Sequence, residues 1–194
     1  MENIDVTKFI FWGIIAVAVF YLVSVYNGLV SLKHAVSKAW ANIDVLLKQR
    51  HDELPKLVET CKQYMEYEQE TLEKVMQART SVASAQQSGD MAALGKAEGA
   101  MRLGLGSLFA VAEAYPDLKA NETFQHLQAR ITGLENDIAD RREFYNESVN
   151  NNNVRIEQFP DVIIARFFNF KSFDLLEFSD EEKTDVDIGQ LFDK

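Results

Sequence analysis

The chain has 194 residues, a formal net charge of −10 and 47% hydrophobic residues, a size that suits one domain plus an anchor. An acidic balance of that kind excludes nucleic acid as a partner, because displacing counterions from phosphates needs clustered Lys and Arg. Cys61 is the single cysteine, which excludes an internal disulfide and a cysteine metal site built from one chain.

Residues 1–8 read as a short N-terminal tail and residues 9–28 as a transmembrane anchor. From Phe9 to Tyr26 the sequence is FIFWGIIAVAVFYLVSVY, and no charge occurs between Lys8 and Lys33. At helical rise this covers about 27 Å, close to the hydrocarbon thickness of a bilayer. Phe9, Trp12, Ile14, Phe20, Tyr21 and Val25 are the residues expected to meet lipid, with Trp12, Tyr21 and Tyr26 near the interfaces. A cleaved signal peptide fits less well. Glu2 and Asp5 oppose Lys8, the apolar stretch is long, and no small-x-small site follows it. Lys33, Lys38, Lys48 and Arg50 follow the segment while Lys8 alone precedes it. This bias predicts an outside N-terminus and a cytoplasmic C-terminal domain.

Residues 29–173 read as a helical bundle. A seam of Leu29, Leu32, Val36, Ala39 and Ile43 shifts and resumes at Leu47, Leu54, Leu57, Cys61, Met65, Leu72, Val75 and Val82. If mostly continuous, Leu29 to Ala85 would be a coiled-coil-like rod of about 85 Å. Pro55 is expected to kink it or to break one backbone bond. Gln87-Ser88-Gly89-Asp90 is a turn, with Asp90 as N-cap. The next helix carries Leu94, Met101, Leu105, Leu108 and Val111, and ends by Tyr115-Pro116. Its Gly95, Gly99, Gly104 and Gly106 would admit another helix closely. Asp117 to Ala120 connects to a helix with the seam Phe124, Leu127, Ile131, Leu134, Ile138, Tyr145 and Val149, which Asn150 to Asn153 should loosen. Phe159 to Phe173 is Phe-rich. It reads as a helix covering the end of the bundle or packing on a neighbouring chain, or as a membrane-surface helix with Arg166 and Lys171 at headgroups. Residues 174–194 form an acidic tail, expected to be extended. The architecture is all-α: an N-terminal transmembrane helix continuing into a long-helix antiparallel bundle of three to four helices.

The stretch Tyr26-Asn27, Leu29-Val30, Ala39-Trp40, Ile43-Asp44-Val45, Leu47-Lys48, Arg50-His51-Asp52, Pro55 and Leu57-Val58-Glu59-Thr60 resembles the start of the LemA family domain. Glu113 to Ala120, Phe124, Leu127, Glu135-Asn136, Ile138-Ala139, Arg142, Tyr145-Asn146, Val149, Asn153 and Phe159-Pro160 extend the likeness over residues 20–173. Lys56, Arg141 and Asn152 depart from the family pattern, the last two suggesting an altered end of the third helix. The resemblance implies a bacterial membrane-anchored helical bundle and carries no reaction with it.

No catalytic, cofactor or metal residue is assigned. None of His34, His51 and His126 has the Glu three residues earlier that a dimetal bundle requires, and Glu122 with His126 reads as a surface contact. The sequons at Asn121 and Asn146 read as chance matches. Asp52, near the Pro55 kink, and Glu113, Tyr115, Arg142, Tyr145 and Asn146 form a candidate interaction or structural polar cluster. Gly99, Gly104, Phe159, Phe167, Phe168 and Phe170 are candidate interface residues. The expected function is a structural or interaction scaffold of the bacterial inner membrane. Its expected partners are the lipid bilayer, further copies of the chain and other membrane proteins. The alternative is a membrane-tethered sensor or ligand- and peptide-binding module with a polar pocket between helices.

Overall fold

The computed structural model describes residues 6–177. Over them the backbone forms six helices and no strand: α1 (Val6–Lys62), α2 (Gln69–Ser88), α3 (Met91–Ala112), α4 (Pro116–Lys119), α5 (Glu122–Glu157) and α6 (Asp161–Phe167). The described residues divide into two compact units, 6–40 with 145–174 and 41–144 with 175–177. Both α1 and α5 contribute to each.

The larger unit is an up-down bundle. Gln86 Nε2 donates to Asp44 Oδ1 (2.7 Å) and Arg79 Nε to the His51 carbonyl (2.9 Å), a register that sets α2 antiparallel to α1. Glu53 with Arg130 (3.3 Å), and Tyr64 with Asn121 (3.0 Å), set α5 antiparallel to α1 in the same way. Gly89 turns α2 into α3 at φ 69°, where a side chain is strained, and Asp90 caps α3 by accepting from the Ala93 amide at 2.9 Å. Asn121 caps α5 on the Phe124 amide (3.0 Å). The core is built from Ile43, Leu47, Leu54, Leu57, Leu72, Val75, Leu94, Met101, Leu108, Phe124 and Ile131.

The rod expected from Leu29 to Ala85 does not form. Helix α1 stops at Lys62, and Gln63 to Glu68 reverse the chain through bonds from the Tyr64 and Met65 amides to the Cys61 carbonyl (3.0 and 2.9 Å). No Gly or Pro marks this corner. Folding back buries Met65, Leu72, Val75 and Val82, which one straight helix would have left on a solvent-facing stripe.

Pro55, by contrast, lies inside α1. A proline there removes the amide that would bond the His51 carbonyl four residues back. Arg79 supplies the missing donor to that carbonyl and also donates to His51 Nε2 at 2.6 Å. Asp52, expected to serve this position, is exposed.

The smaller unit gathers Val25, Leu29, Ile164 and Ala165 into an apolar cluster edged by Ile156 and Phe170. Helix α5 passes through Asn150 to Asn153 without fraying, which corrects the expected loosening. The asparagines hold an extended strap instead. Asn153 donates to the Phe173 carbonyl (2.8 Å) and accepts from the Phe173 amide (3.0 Å), Asn152 donates to the Lys171 carbonyl (3.3 Å), and Tyr145 Oη to the Asp174 carbonyl (2.9 Å). In the larger unit Leu176 is buried, and a Cβ on Gly95 would run into the Glu177 carbonyl. The rest of the acidic tail lies outside the described residues.

Arg79→Ala is expected to destabilise the folded chain by about 1–3 kcal/mol, because the His51 carbonyl and Nε2 lose their donor together. Adding Pro55→Ala restores a backbone amide below that carbonyl, so the double variant should recover part of the loss. Urea unfolding of the four members of this cycle checks both.

Candidate functional site

Ionisable groups are rarely buried without partners. In the larger unit Arg50 is 1% exposed. It sits on the α1 seam, three residues after Leu47 and four before Leu54, where an apolar side chain is expected. Its Nη1 donates to Glu98 Oε2 (3.0 Å) and Glu135 Oε1 (2.5 Å), and its Nη2 donates to Glu98 Oε1. The planar fork thus takes α3 bidentately and α5 with one further bond. Burial pushes the guanidinium down, but the two carboxylates outweigh it and leave its pKa raised, so the charge is permanent. Arg142 of α5 is buried too and lines, with Glu98, Arg102, Glu135, Ile138 and Ala139, a space of about 10 Å³. That is room for one water at most.

His51 is the second polar locus. Burial, then the Arg79 charge, holds its pKa below the ordinary 6.5, with Asp52 opposing. Arg79 donating to Nε2 leaves the neutral ring as acceptor. Burial pushes the Cys61 thiol up to about 11, so it remains protonated at neutral pH.

The sequence-based polar cluster does not assemble. Glu113 is exposed and pairs with Lys119. Tyr115 Oη reaches Glu68 at 3.5 Å. Arg142 lies far along α5, beside Glu98. Tyr145 belongs to the smaller unit, meets Trp40 in a tilted ring contact (5.8 Å between centroids) and holds the strap, while Asn146 is half-buried. The helix periodicity brought these residues near seams without fixing which neighbours meet there. Arg50, Glu98 and Glu135, which sequence reasoning passed over, carry the buried ion pair. Their signal was charge of opposite sign at seam positions on separate helices.

Of the candidate interface, Gly104 is occupied within the chain. Its Cβ position lies 3.5 Å from Val75 of α2, and Gly99 is buried. Phe159, Phe167 and Phe168 stay exposed, whereas Phe170 packs on the Val25–Leu29 cluster. Along the apolar part of α1, Phe9, Trp12, Ile14, Phe20 and Tyr21 are exposed. Val25, expected among the lipid-facing residues, is 5% exposed and packs in the cluster with Leu29, Ile164 and Ala165. Among the described residues, α1 is the one helix long and apolar enough to cross a membrane.

Arg50→Ala is expected to cost about 3–5 kcal/mol, since Glu98 and Glu135 would lose the buried guanidinium that they bind. Arg50→Met combined with Glu98→Leu and Glu135→Leu should recover most of it, and guanidinium unfolding in detergent reads the difference. For His51 the folded pKa is lowered, so the unfolded chain binds the proton more readily. Its contribution is complete above about pH 6.5 and is lost as pH falls through the folded value. The melting temperature of His51→Gln should therefore fall less than that of the natural chain between about pH 7.5 and 5.5.

Residues 39–189 match the family model described as the LemA family. Protein LemA of Metamycoplasma hominis is 26% identical over 185 residues, covering 94% of this chain and 84% of its own. Magnetosome protein MamQ 2 of Paramagnetospirillum magneticum is 33% identical over 104 residues, which is 54% of this chain and 38% of that protein. Magnetosome protein MamQ of Magnetospirillum gryphiswaldense is 29% identical over 96 residues, 50% of this chain and 35% of its own. The chain thus spans well under half the length of these magnetosome relatives. The family match takes in the bundle, its buried ion pair and the strap, and by it the chain belongs to the LemA family.

Proposed function

We propose that the chain is a membrane-anchored, non-catalytic helical scaffold that self-associates in the plane of a bacterial cytoplasmic membrane. The observation that carries this reading is α1 itself. Its Phe9–Tyr26 stretch is uncharged and most of its apolar side chains are exposed, Phe9 at 78% and Phe20 at 77%, yet the same helix continues into a packed bundle. Apolar surface on that scale needs a bilayer. Lys33, Lys38 and Lys48 are exposed after the span and support a cytoplasmic bundle with the N-terminus outside.

A non-catalytic role is supported by how the charges are used. Arg50, Glu98 and Glu135 are bound to one another beside a space too small for a substrate. The likeness to proteins named for a magnetosome, a cellular structure and not a reaction, points the same way. Self-association is supported by confinement to a plane, which raises effective concentration. It is also supported by a shallow groove where α2 meets α3, in which Ala78, Ser81, Ala100 and Gly104 surround the exposed Leu103. The sensor reading has less support, because Glu113 and Tyr115 meet Lys119 and Glu68, whereas Arg142 lies beside Glu98.

Light scattering of the full chain in nanodiscs, corrected for lipid, tests the proposal. A defined multiple of the chain mass is expected, reduced to the monomer by Leu103→Glu. A monomer without the substitution would overturn self-association.

A further inference from the structure

Helix α6 has two apolar sides. Ile164 and Ala165 are covered by Val25 and Leu29 of α1. The other side presents Phe167, 82% exposed, and Ile163 at 60%, and the turn before α6 presents Phe159, also 82% exposed. Ile163 and Phe167 are four residues apart on α6, so they line one edge of the helix. Between α6 and α1 runs a groove of about 550 Å³ walled by Leu22, Val23, Tyr26, Ile163, Phe167 and Phe168. The Tyr26 ring lies 4.7 Å from Phe168 and 5.9 Å from Phe170.

We infer that α6 and its flanking phenylalanines are a second membrane-inserting element, with lipid acyl chains occupying the groove and covering Phe159, Ile163 and Phe167. The inference rests on the anchor reading of α1 and deepens it. Leu22, Val23 and Tyr26 belong to the uncharged stretch that ends at Lys33. A bilayer that accepts Phe9 to Tyr26 therefore also surrounds the side of α6 that shares a wall with Leu22 and Val23. The groove continues the lipid-facing surface of the span and is not a separate patch. Local charge agrees. Residues 158–173 carry Arg166 and Lys171 against Asp161 alone, in a chain of net charge −10. Asp161 is buried and paired with Arg155, and Arg166 and Lys171 are exposed. Apolar rings on one edge and exposed cations beside them are what an interface between acyl chains and anionic headgroups accepts. A water-exposed role would leave this much phenylalanine bare.

The test is spin-label accessibility in the full chain, reconstituted in vesicles of phosphatidylcholine and phosphatidylglycerol on a Cys61→Ala background. Labels go at Val17→Cys in the span, Phe167→Cys on α6 and Glu147→Cys on exposed α5. Expected is a label at 167 that collides with oxygen more than with a water-soluble nickel chelate, as at 17 and opposite to 147. Chelate access at 167 equal to that at 147, with 17 still shielded, overturns the inference and leaves the anchor standing. Chelate access at 17 overturns the anchor reading and the inference with it. Shielding at 167 from both reagents, with dipolar broadening that disappears on dilution by unlabelled chain, overturns the inference in favour of a second copy.

Discussion

A guanidinium can be withdrawn from water only where carboxylates meet it, and that requirement fixes the bundle. Arg50 sits in the interior of α1, and its fork is matched by Glu98 from α3 and Glu135 from α5. A shift of one turn in either partner helix would carry a carboxylate about 5.4 Å away and leave a charge stranded. Apolar side chains such as Leu47, Leu54 and Leu108 tolerate several registers, because hydrophobic contact is not directional. The ion pair does not. It contributes little net stability against a well-packed apolar substitute, but it selects one alignment of three helices.

The same logic recurs where the backbone itself is short of partners. Pro55 removes a donor from α1, and Arg79 replaces it from α2. Asn152 and Asn153 turn the side of α5 into a row of amide groups, and a segment without secondary structure of its own takes its hydrogen bonds there. Each device joins elements distant in sequence through a polar group that would be costly unpaired. The apolar seams assemble the helices, and these few polar contacts decide their alignment.

This division explains what could be read in advance. The all-α class, the long apolar N-terminal helix, the Gly89–Asp90 turn and the helix end before Pro116 follow from periodicity and local chemistry, and all are present. The reversal at Gln63 to Glu68 carries no turn residue, since it results from the burial of Leu72 and Val75 and not from local preference. Pro55 was expected to kink α1 or to cost it one backbone bond, and the donor that compensates the lost bond was not legible because it lies 24 residues on, at Arg79. The run Asn150 to Asn153 looked like fraying because a strap that needs those amides is invisible to a helical pattern. Arg50, Glu98, Arg142 and Asn152 all occupy seam positions, where a polar residue signals a partner the seam cannot name.

Cys61 closes the last turns of α1 with no exposed surface and a thiol that burial keeps protonated. Thiolate, not thiol, is the form that attacks disulfides and oxidants. Any pairing between copies of the folded chain is therefore non-covalent and indifferent to the redox state of its surroundings, and it can be undone without a reductant.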